Sequence, residues 1–549
     1  MPTISARRGT ALAVTAAALL AASGCSDSNT GSTGTSGTTG TSGTTETSGT
    51  SVRANSPTGA APSTDLPRSL VSQRLGWKAC PAPSASEGGG PSPSPLPGGT
   101  RWECATMKVP LNYAKPGGDT IELALIRAKA RDTKQRIGSL IFNFGGPGGS
   151  GITGLPAFAS DYEKLRARYD LVSFDPRGVG RSAGVQCEND RQLDAYFAQD
   201  GSPATPAAEK TFVKGLANFA AACEKNSGKV LPYVGTTNAA RDMELMRQVL
   251  GDKKMHYFGI SYGTELGGVY AHLYPKSVGR AVFDAVVDPT QNSEQGSLGQ
   301  AKGFQLALTN FEKDCVARAG SCKLPGTTPK EIESYIIGLL DRIGKQPIAG
   351  IGNRKLTRTQ ATNGIAQALY SKEFWPYLEQ GLDEADGGSG ALLQALSDSM
   401  NGRDQYGKYS NIQAANAAVN CADSKERYTL AQTKAKLPEF RRASPVFGDF
   451  LGWGLMSCSK WPVAGEWTHP DVHAPGSAPI VVIGNTGDPA TPYAGAKAMV
   501  DSLGKGVGVE VTYHGQGHGS YDSGDTCVQG AVNDYLLNGK VPAAGKVCG

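Results

Sequence analysis

Six short apolar runs punctuate the chain, most of them ending at Gly, Asp or Ser: Ser139–Phe144, Tyr169–Asp175, Met255–Ser261, Arg280–Asp288, Pro479–Asp488 and Val509–Gly515. Runs of this length without polar alternation predict strands buried on both faces, as in a parallel sheet. Ahead of them, Ala105–Ala130 predicts two strands joined by the turn Pro116-Gly117-Gly118, the second alternating apolar and polar positions. Helical spacing over Thr264–Tyr274 and Thr526–Leu537 separates or follows the strands, so the fold class is α/β, a mostly parallel sheet covered on both faces. Between Asp288 and Pro479 the pattern changes to helix-like spacing rich in Ala, Leu, Gln, Lys and Glu. This predicts a helical insertion at 289–475, seated as a cap over the sheet's C-terminal edge, with the sheet built from 66–288 and 476–549.

The first residues read differently. Arg7 and Arg8 precede an apolar stretch from Ala11 to Ala22 and then small residues up to Cys25, which is the pattern of an export signal over 1–24. The apolar stretch is too short to span about 30 Å of hydrocarbon. Ala22-Ser23-Gly24-Cys25 resembles a bacterial lipobox, which makes Cys25 the lipidated first residue of the mature chain and the membrane a partner. Plain cleavage and release is the other outcome. Residues 25–65 are almost all Gly, Ser, Thr, Ala and Pro, a flexible tether. A second loose stretch, Pro81–Gly99, reads as a surface loop.

Composition narrows the partners. The 549 residues carry 54 Lys plus Arg against 49 Asp plus Glu, scattered rather than striped, so no nucleic-acid partner is expected. Besides Cys25 there are ten cysteines: Cys80, Cys104, Cys187, Cys223, Cys315, Cys322, Cys421, Cys458, Cys527 and Cys548. An even set in an exported chain suggests five disulfides. Nearest-neighbour pairing is the simplest arrangement, with connectivity left open. No CxxC pair or HExxH helix is present, so neither a metal nor another cofactor is expected. A monomer is the working expectation.

Gly259-Ile260-Ser261-Tyr262-Gly263 is a G-x-S-x-G pentapeptide between a predicted strand and a predicted helix. In that setting the glycines permit a sharp reversal that presents the Ser261 hydroxyl at the sheet edge. A serine hydroxyl needs an imidazole base, and the base needs a carboxylate. Of six histidines, His256 lies in the strand before the elbow, His272 on the following helix, and His469 and His473 beside prolines at the insertion's end. His518, in a glycine-rich loop between the last predicted strand and the last helix, is the expected base, with His514 its rival. Asp488 follows a strand and precedes the histidine, giving the order Ser, Asp, His; its alternative role is to cap a turn. The loop Asn143–Gly151 offers unobstructed amides, and Gly146 N–H with Tyr262 N–H is the expected oxyanion pair. The same loop contains a formal G-x-G-x-x-G with Asp175 beyond it, a dinucleotide-binding reading. The export leader and the poor helix start after Gly151 argue against that.

CATMKVPLNYAKP, NFGGPGGSG, DLVSFDPRGVGRS, GISYGTELGGVYAHLYP and NTGDPATPY occur in that order. Together they resemble the secreted tripeptidyl aminopeptidase-like branch of the α/β-hydrolases, related to prolyl aminopeptidases. The resemblance runs from about Cys104 to the C-terminus and is weakest in the insertion. It implies an α/β-hydrolase fold, a serine exopeptidase acting on peptides with free N-termini, and Ser261, Asp488 and His518 as the triad. Phe144 stands where prolyl aminopeptidases usually carry His. Arg177, in Asp175-Pro176-Arg177-Gly178, is expected to brace neighbouring loops. Cap carboxylates are the candidates to pair with a substrate ammonium, Glu294, Asp423 and others, with no choice among them; Glu265, one turn beyond Ser261, reads equally as a structural residue near its helix N-terminus. An esterase or lipase with the same triad, or an inactive cell-surface binding protein on the same scaffold, are the competing readings.

Overall fold

The computed structural model describes residues 66–318 and 320–549; the expected export signal, Cys25 and the tether lie outside them. Twelve strands are present among the described residues: β1 Lys78–Ala79, β2 Glu103–Pro110, β3 Thr120–Ala128, β4 Gly138–Asn143, β5 Tyr169–Phe174, β6 Met255–Ile260, β7 Val278–Asp284, β8 Ile348–Ala349, β9 Lys355–Leu356, β10 Ile480–Asn485, β11 Gly508–Tyr513 and β12 Lys546–Cys548. Ten of them form one sheet in the order β1-β2-β3-β5-β4-β6-β7-β10-β11-β12. The β1/β2, β2/β3 and β3/β5 pairs are antiparallel and the remainder parallel. Every residue of β4, β5 and β10 is buried, because helices cover both faces. The order of strands switches at β4, which lies between β5 on one side and β6 on the other, and this opens a crevice at the strands' C-terminal ends.

The segment after β7 is helical, with helices from Ser293–Ala317 to Gly448–Gly454. Four of them open on capping boxes in which a Thr or Asn side chain and a Gln or Glu three residues on satisfy the first N–H groups: Asn292/Gln295, Thr328/Glu331, Thr357/Gln360 and Thr429/Gln432. Phe304, Leu308, Phe311, Ile336, Leu340 and Ile365 belong to an apolar core distinct from those flanking the sheet. The antiparallel hairpin β8/β9 also lies here, where sequence pattern gave no strand. Hydrogen bonds tie the helices to the sheet's C-terminal loops. Asn411 accepts from Gly180 N–H and donates to the Gly178 and Val185 carbonyls, and Asn416 donates to the Pro147 carbonyl.

Two local readings are corrected. Residues after Gly151 do form a helix, Gly151–Phe158, despite Pro156. Asp175 makes the start possible by accepting from Ser150 Oγ at 2.6 Å and Ile152 N–H at 3.3 Å. Pro81–Gly99 is more than a loose loop, since its Glu87 is buried and pairs with Arg181 at 2.7 Å.

Arg177 is fully buried. Its guanidinium grips both oxygens of Asp242 at 2.7 Å and donates to the carbonyls of Pro110, Leu111 and Tyr233. Arg177→Met is expected to destabilise the fold by about 3–5 kcal/mol in urea unfolding, because it leaves the Asp242 carboxylate buried without a counter-charge.

Five disulfides join Cys80–Cys104, Cys187–Cys223, Cys315–Cys322, Cys421–Cys458 and Cys527–Cys548. Such a set marks an oxidising, extracytoplasmic compartment. Among the described residues no helix is long and apolar enough to cross a membrane.

Candidate active site

β6 ends at Ile260 and the chain reverses at Ser261, which has φ 59° and ψ −128°. A non-glycine residue holds that conformation only where its surroundings enforce it. Here Ser261 N–H donates to the Asp284 carbonyl at 3.1 Å, and the Ser261 carbonyl accepts from Thr264 N–H at 2.8 Å and Thr264 Oγ1 at 2.7 Å. The flanking glycines are sterically required. A Cβ on Gly259 would stand 2.4 Å from the Gly263 carbonyl oxygen, and one on Gly263 2.5 Å from that of Asn143. Ser261 sits at the N-cap of the helix Tyr262–Leu273, yet its hydroxyl makes no capping bond.

The loop after β4 lies against this elbow because β4 and β6 are neighbours, with Asn143 opposite Gly259. A Cβ on Gly145 would come within 2.6 Å of the Ile260 carbonyl oxygen, 2.7 Å of Ser261 Cβ and 3.2 Å of Tyr262 N. Only glycine lets the two main chains approach so closely. The expected donors Gly146 and Tyr262 thus belong to adjoining stretches of backbone.

His518 Nδ1 lies 2.9 and 3.0 Å from the two oxygens of Asp488. A carboxylate only accepts, so Nδ1 carries the proton and Nε2 is the free base. Asp488 is buried and also caps its own turn, accepting from Ala490 and Thr491 N–H at 2.9 Å and from Thr491 Oγ1 at 3.0 Å. Both sequence readings of Asp488, turn cap and imidazole partner, therefore describe the same side chain.

The glycine-rich loop is held from several sides. Asn485 Nδ2 donates to the Gly517 and Gly519 carbonyls at 2.7 and 3.1 Å, and His518 N–H donates to the Tyr370 carbonyl of the insertion at 2.7 Å. The Tyr370 ring meets the imidazole edge-on at 5.1 Å. Burial works against the imidazolium, but the Asp488 carboxylate, aided by Asp284, outweighs it and raises the His518 pKa above its ordinary value.

Asp284, at the end of β7, links the two halves. Its carbonyl holds Ser261 N–H, and its carboxylate accepts from Ser520 and Tyr521 N–H, two and three residues past His518, at 3.0 and 2.8 Å. Neither Asp284 nor Tyr370 stood out in the sequence. An Asp at the C-terminal tip of a buried strand was the available signal for Asp284.

The other histidines are placed elsewhere. His256 Nδ1 accepts from Arg280 N–H, and burial pushes its pKa down to about 4. His272 Nδ1 donates to the His473 carbonyl, and the exposed His514 faces Thr486 at 3.4 Å. Asp175 is completely buried and spends its oxygens on Ser150, Ile152 and Arg181, so it does not present the exposed carboxylate a ribose would need.

A cavity of about 1020 Å³ lies between sheet and insertion, bordered by Glu265, Asp288, Asp423, Trp453, Trp467 and Thr491. It reaches the candidate site through Thr491, which touches Asp488, and Glu265, one turn past Ser261. Of the candidate ammonium partners, Glu294 is already engaged by Lys436 at 2.7 Å and Tyr428 at 3.1 Å. Asp423 accepts from Thr236 N–H at 2.8 Å and Thr236 Oγ1 at 2.6 Å, and the same hydroxyl accepts from Tyr262 OH at 2.6 Å. Among the described residues neither Glu265 nor Asp423 is in a salt bridge. Burial pushes the Glu265 pKa up to about 7; burial and the neighbouring Glu265 carboxyl push Asp423 well above the usual carboxylate range.

A doubly covered sheet with a serine on a strained strand-to-helix turn and a His–Asp pair on the loops after β10 and β11 defines a serine hydrolase of the α/β type. Residues 138–319 match the family model described as alpha/beta hydrolase fold, and residues 444–548 the one described as TAP-like protein. Serine protease Hip1 of Mycobacterium tuberculosis is 37% identical over 469 residues, covering 82% of this chain and 88% of the relative. Carboxylesterase B of the same organism is 37% identical over 455 residues, covering 81% and 86%. Tripeptidyl aminopeptidase of Streptomyces lividans is 30% identical over 454 residues, covering 81% and 83%. The chain belongs to this tripeptidyl aminopeptidase-like family of α/β-hydrolases.

Proposed function

We propose that the protein is an exported serine aminopeptidase that releases short peptides from free N-termini. Ser261 Oγ attacks the scissile carbonyl carbon while His518 Nε2 takes its proton. The oxyanion is received by Gly146 and Tyr262 N–H. The C–N bond breaks as His518 returns the proton to the leaving amine, and water, deprotonated by the same imidazole, hydrolyses the acyl-enzyme ester. Asp488 holds the tautomer and supports the imidazolium. A lipid anchor at Cys25 completes the proposal, and the mass of the mature N-terminal peptide tests it.

The observation that carries the exopeptidase reading is the pair Glu265 and Asp423, two carboxyls facing one cavity beside Ser261 without a basic partner. An entering α-ammonium supplies the missing charge, and binding it favours the ionised form of Glu265. Glu265→Gln is expected to raise KM for free-amine peptides by about 10- to 100-fold. It should leave N-acetylated peptides, poor substrates in either case, unchanged. Mass spectrometry of products from paired free and acetylated peptides reads both. Equal loss on both substrates would remove Glu265 from ammonium binding, and efficient cleavage of acetylated peptides by the unsubstituted enzyme would remove the exopeptidase reading.

The relative named carboxylesterase B favours a second reading, ester hydrolysis by the same triad. Turnover of short acyl esters far above that of peptidyl amides would select it.

A further inference from the structure

Asp284 is 2% exposed; its Oδ2 receives two N–H groups of the His518 loop, and the Ser520 hydroxyl also stands against its carboxylate. A carboxyl buried without a basic partner costs stability and calls for an explanation. Packing does not require it, since an apolar residue ends a strand as well. What distinguishes the position is its attachments: the main chain of Asp284 holds the nucleophile's N–H, and its side chain holds the loop that carries the base.

We infer that Asp284 is a positioning residue for the hydrolytic site, fixing the distance between Ser261 and His518 through one residue and keeping a second negative charge behind the imidazole. The inference rests on Ser261, His518 and Asp488 being the triad. It separates two roles that one carboxylate performs. The oxygen Oδ2 acts as a clamp, which any acceptor of the same shape could supply. The charge acts at a distance, favouring the imidazolium that forms when Ser261 gives up its proton.

The electrostatic surroundings are definable. His518 faces Asp488 and Thr491 from the loop after β10, the Tyr370 ring and carbonyl from the insertion, and Asp284 from β7. Asp284 in turn faces Asp488, Asp522 and the Tyr162 phenol. Burial raises the Asp284 pKa; the Tyr521 and Ser520 N–H groups and the Ser520 hydroxyl oppose that rise, while the Asp488 charge adds to it. For His518 burial disfavours the imidazolium, and Asp488 and then Asp284 favour it. The sign follows: neutralising Asp284 lowers the His518 pKa and moves the acid limb of the pH profile to lower pH. A purely structural loss lowers the whole profile and leaves the limb where it was.

Two substitutions in the full chain separate the roles. Asp284→Asn keeps an acceptor of nearly the same shape and removes the charge; Asp284→Ala removes both. The test measures kcat and KM on a peptidyl chromogenic amide from about pH 5 to about pH 9. Circular dichroism and the fraction labelled by a fluorophosphonate normalise for folded enzyme. For Asp284→Asn the acid limb of kcat/KM is expected to move down by about half a unit or more. For Asp284→Ala kcat is expected to fall by about 10- to 100-fold, with KM changed less than about twofold. An Asp284→Asn limb superimposed on that of the unsubstituted enzyme, with Ser261→Ala inactive, overturns this inference alone, whether or not Asp284→Ala folds. A Ser261→Ala control that still hydrolyses the amide overturns the triad and this inference with it.

Discussion

Ser261→Ala is expected to lower kcat by about 10⁵- to 10⁶-fold while leaving the fold and KM nearly unchanged. The expectation follows from the elbow. The hydroxyl is the only atom the substitution removes, and it takes no part in capping the helix Tyr262–Leu273. The strained backbone at Ser261 is held by main-chain bonds to Asp284 and Thr264, so an alanine sits in the same conformation. Residual turnover would come from the oxyanion donors and from substrate binding, which the substitution does not touch. Steady-state kinetics on a peptidyl chromogenic amide checks the magnitude, and unchanged circular dichroism checks that the loss is chemical.

The second large effect is expected at Asp488. Asp488→Asn should reduce kcat by about 10⁴-fold, a loss that arises from the wrong tautomer rather than from misfolding. An amide offers both a donor and an acceptor, and the turn at Ala490 and Thr491 supplies two N–H donors that claim the acceptor. The amide NH₂ is then directed at His518 Nδ1, which must accept, so Nε2 becomes protonated and ceases to be a base. Raising pH does not rescue this, because the proton is on the wrong nitrogen. In the unsubstituted enzyme activity falls as pH drops through the raised pKa of His518, since the base must be neutral to act. Asp488→Asn lacks the charge that raises that pKa, so its small residual activity should persist to lower pH. A pH series with both enzymes tests the two statements together.

Much of this site was legible because its chemistry is local in sequence. Gly259 and Gly263 flank Ser261 at positions where a Cβ cannot be accommodated, and the apolar run before them can only be a buried strand. Asp488 and His518 each follow a strand at the same edge of the sheet. What was not legible depends on partners far away in the chain. Glu294 and Asp423 are equivalent in sequence until Lys436 is found beside the first and Thr236 beside the second, and Glu265 reads as readily as a structural residue of its helix. Asp284 was read as part of a strand, because its significance lies in bonds to Ser261 and to Ser520 and Tyr521, none of them neighbours in sequence. Glu87, in a stretch read as loose loop, is ordered by Arg181 nearly a hundred positions on. The helix at Gly151 is not legible in the sequence because its support comes from Asp175, more than twenty positions on, whose spacing from the glycine loop suggests only a formal dinucleotide motif.

The central claim is that Ser261 is the nucleophile of a working triad. The direct measurement is to label the protein with a fluorophosphonate, digest it and locate the adduct by tandem mass spectrometry, with the rate of labelling compared between the unsubstituted enzyme and Asp488→Asn. The account predicts a single phosphonylated site at Ser261, formed markedly more slowly in Asp488→Asn. An adduct on another residue, or full amide hydrolysis by enzyme whose Ser261 is quantitatively labelled, would contradict it.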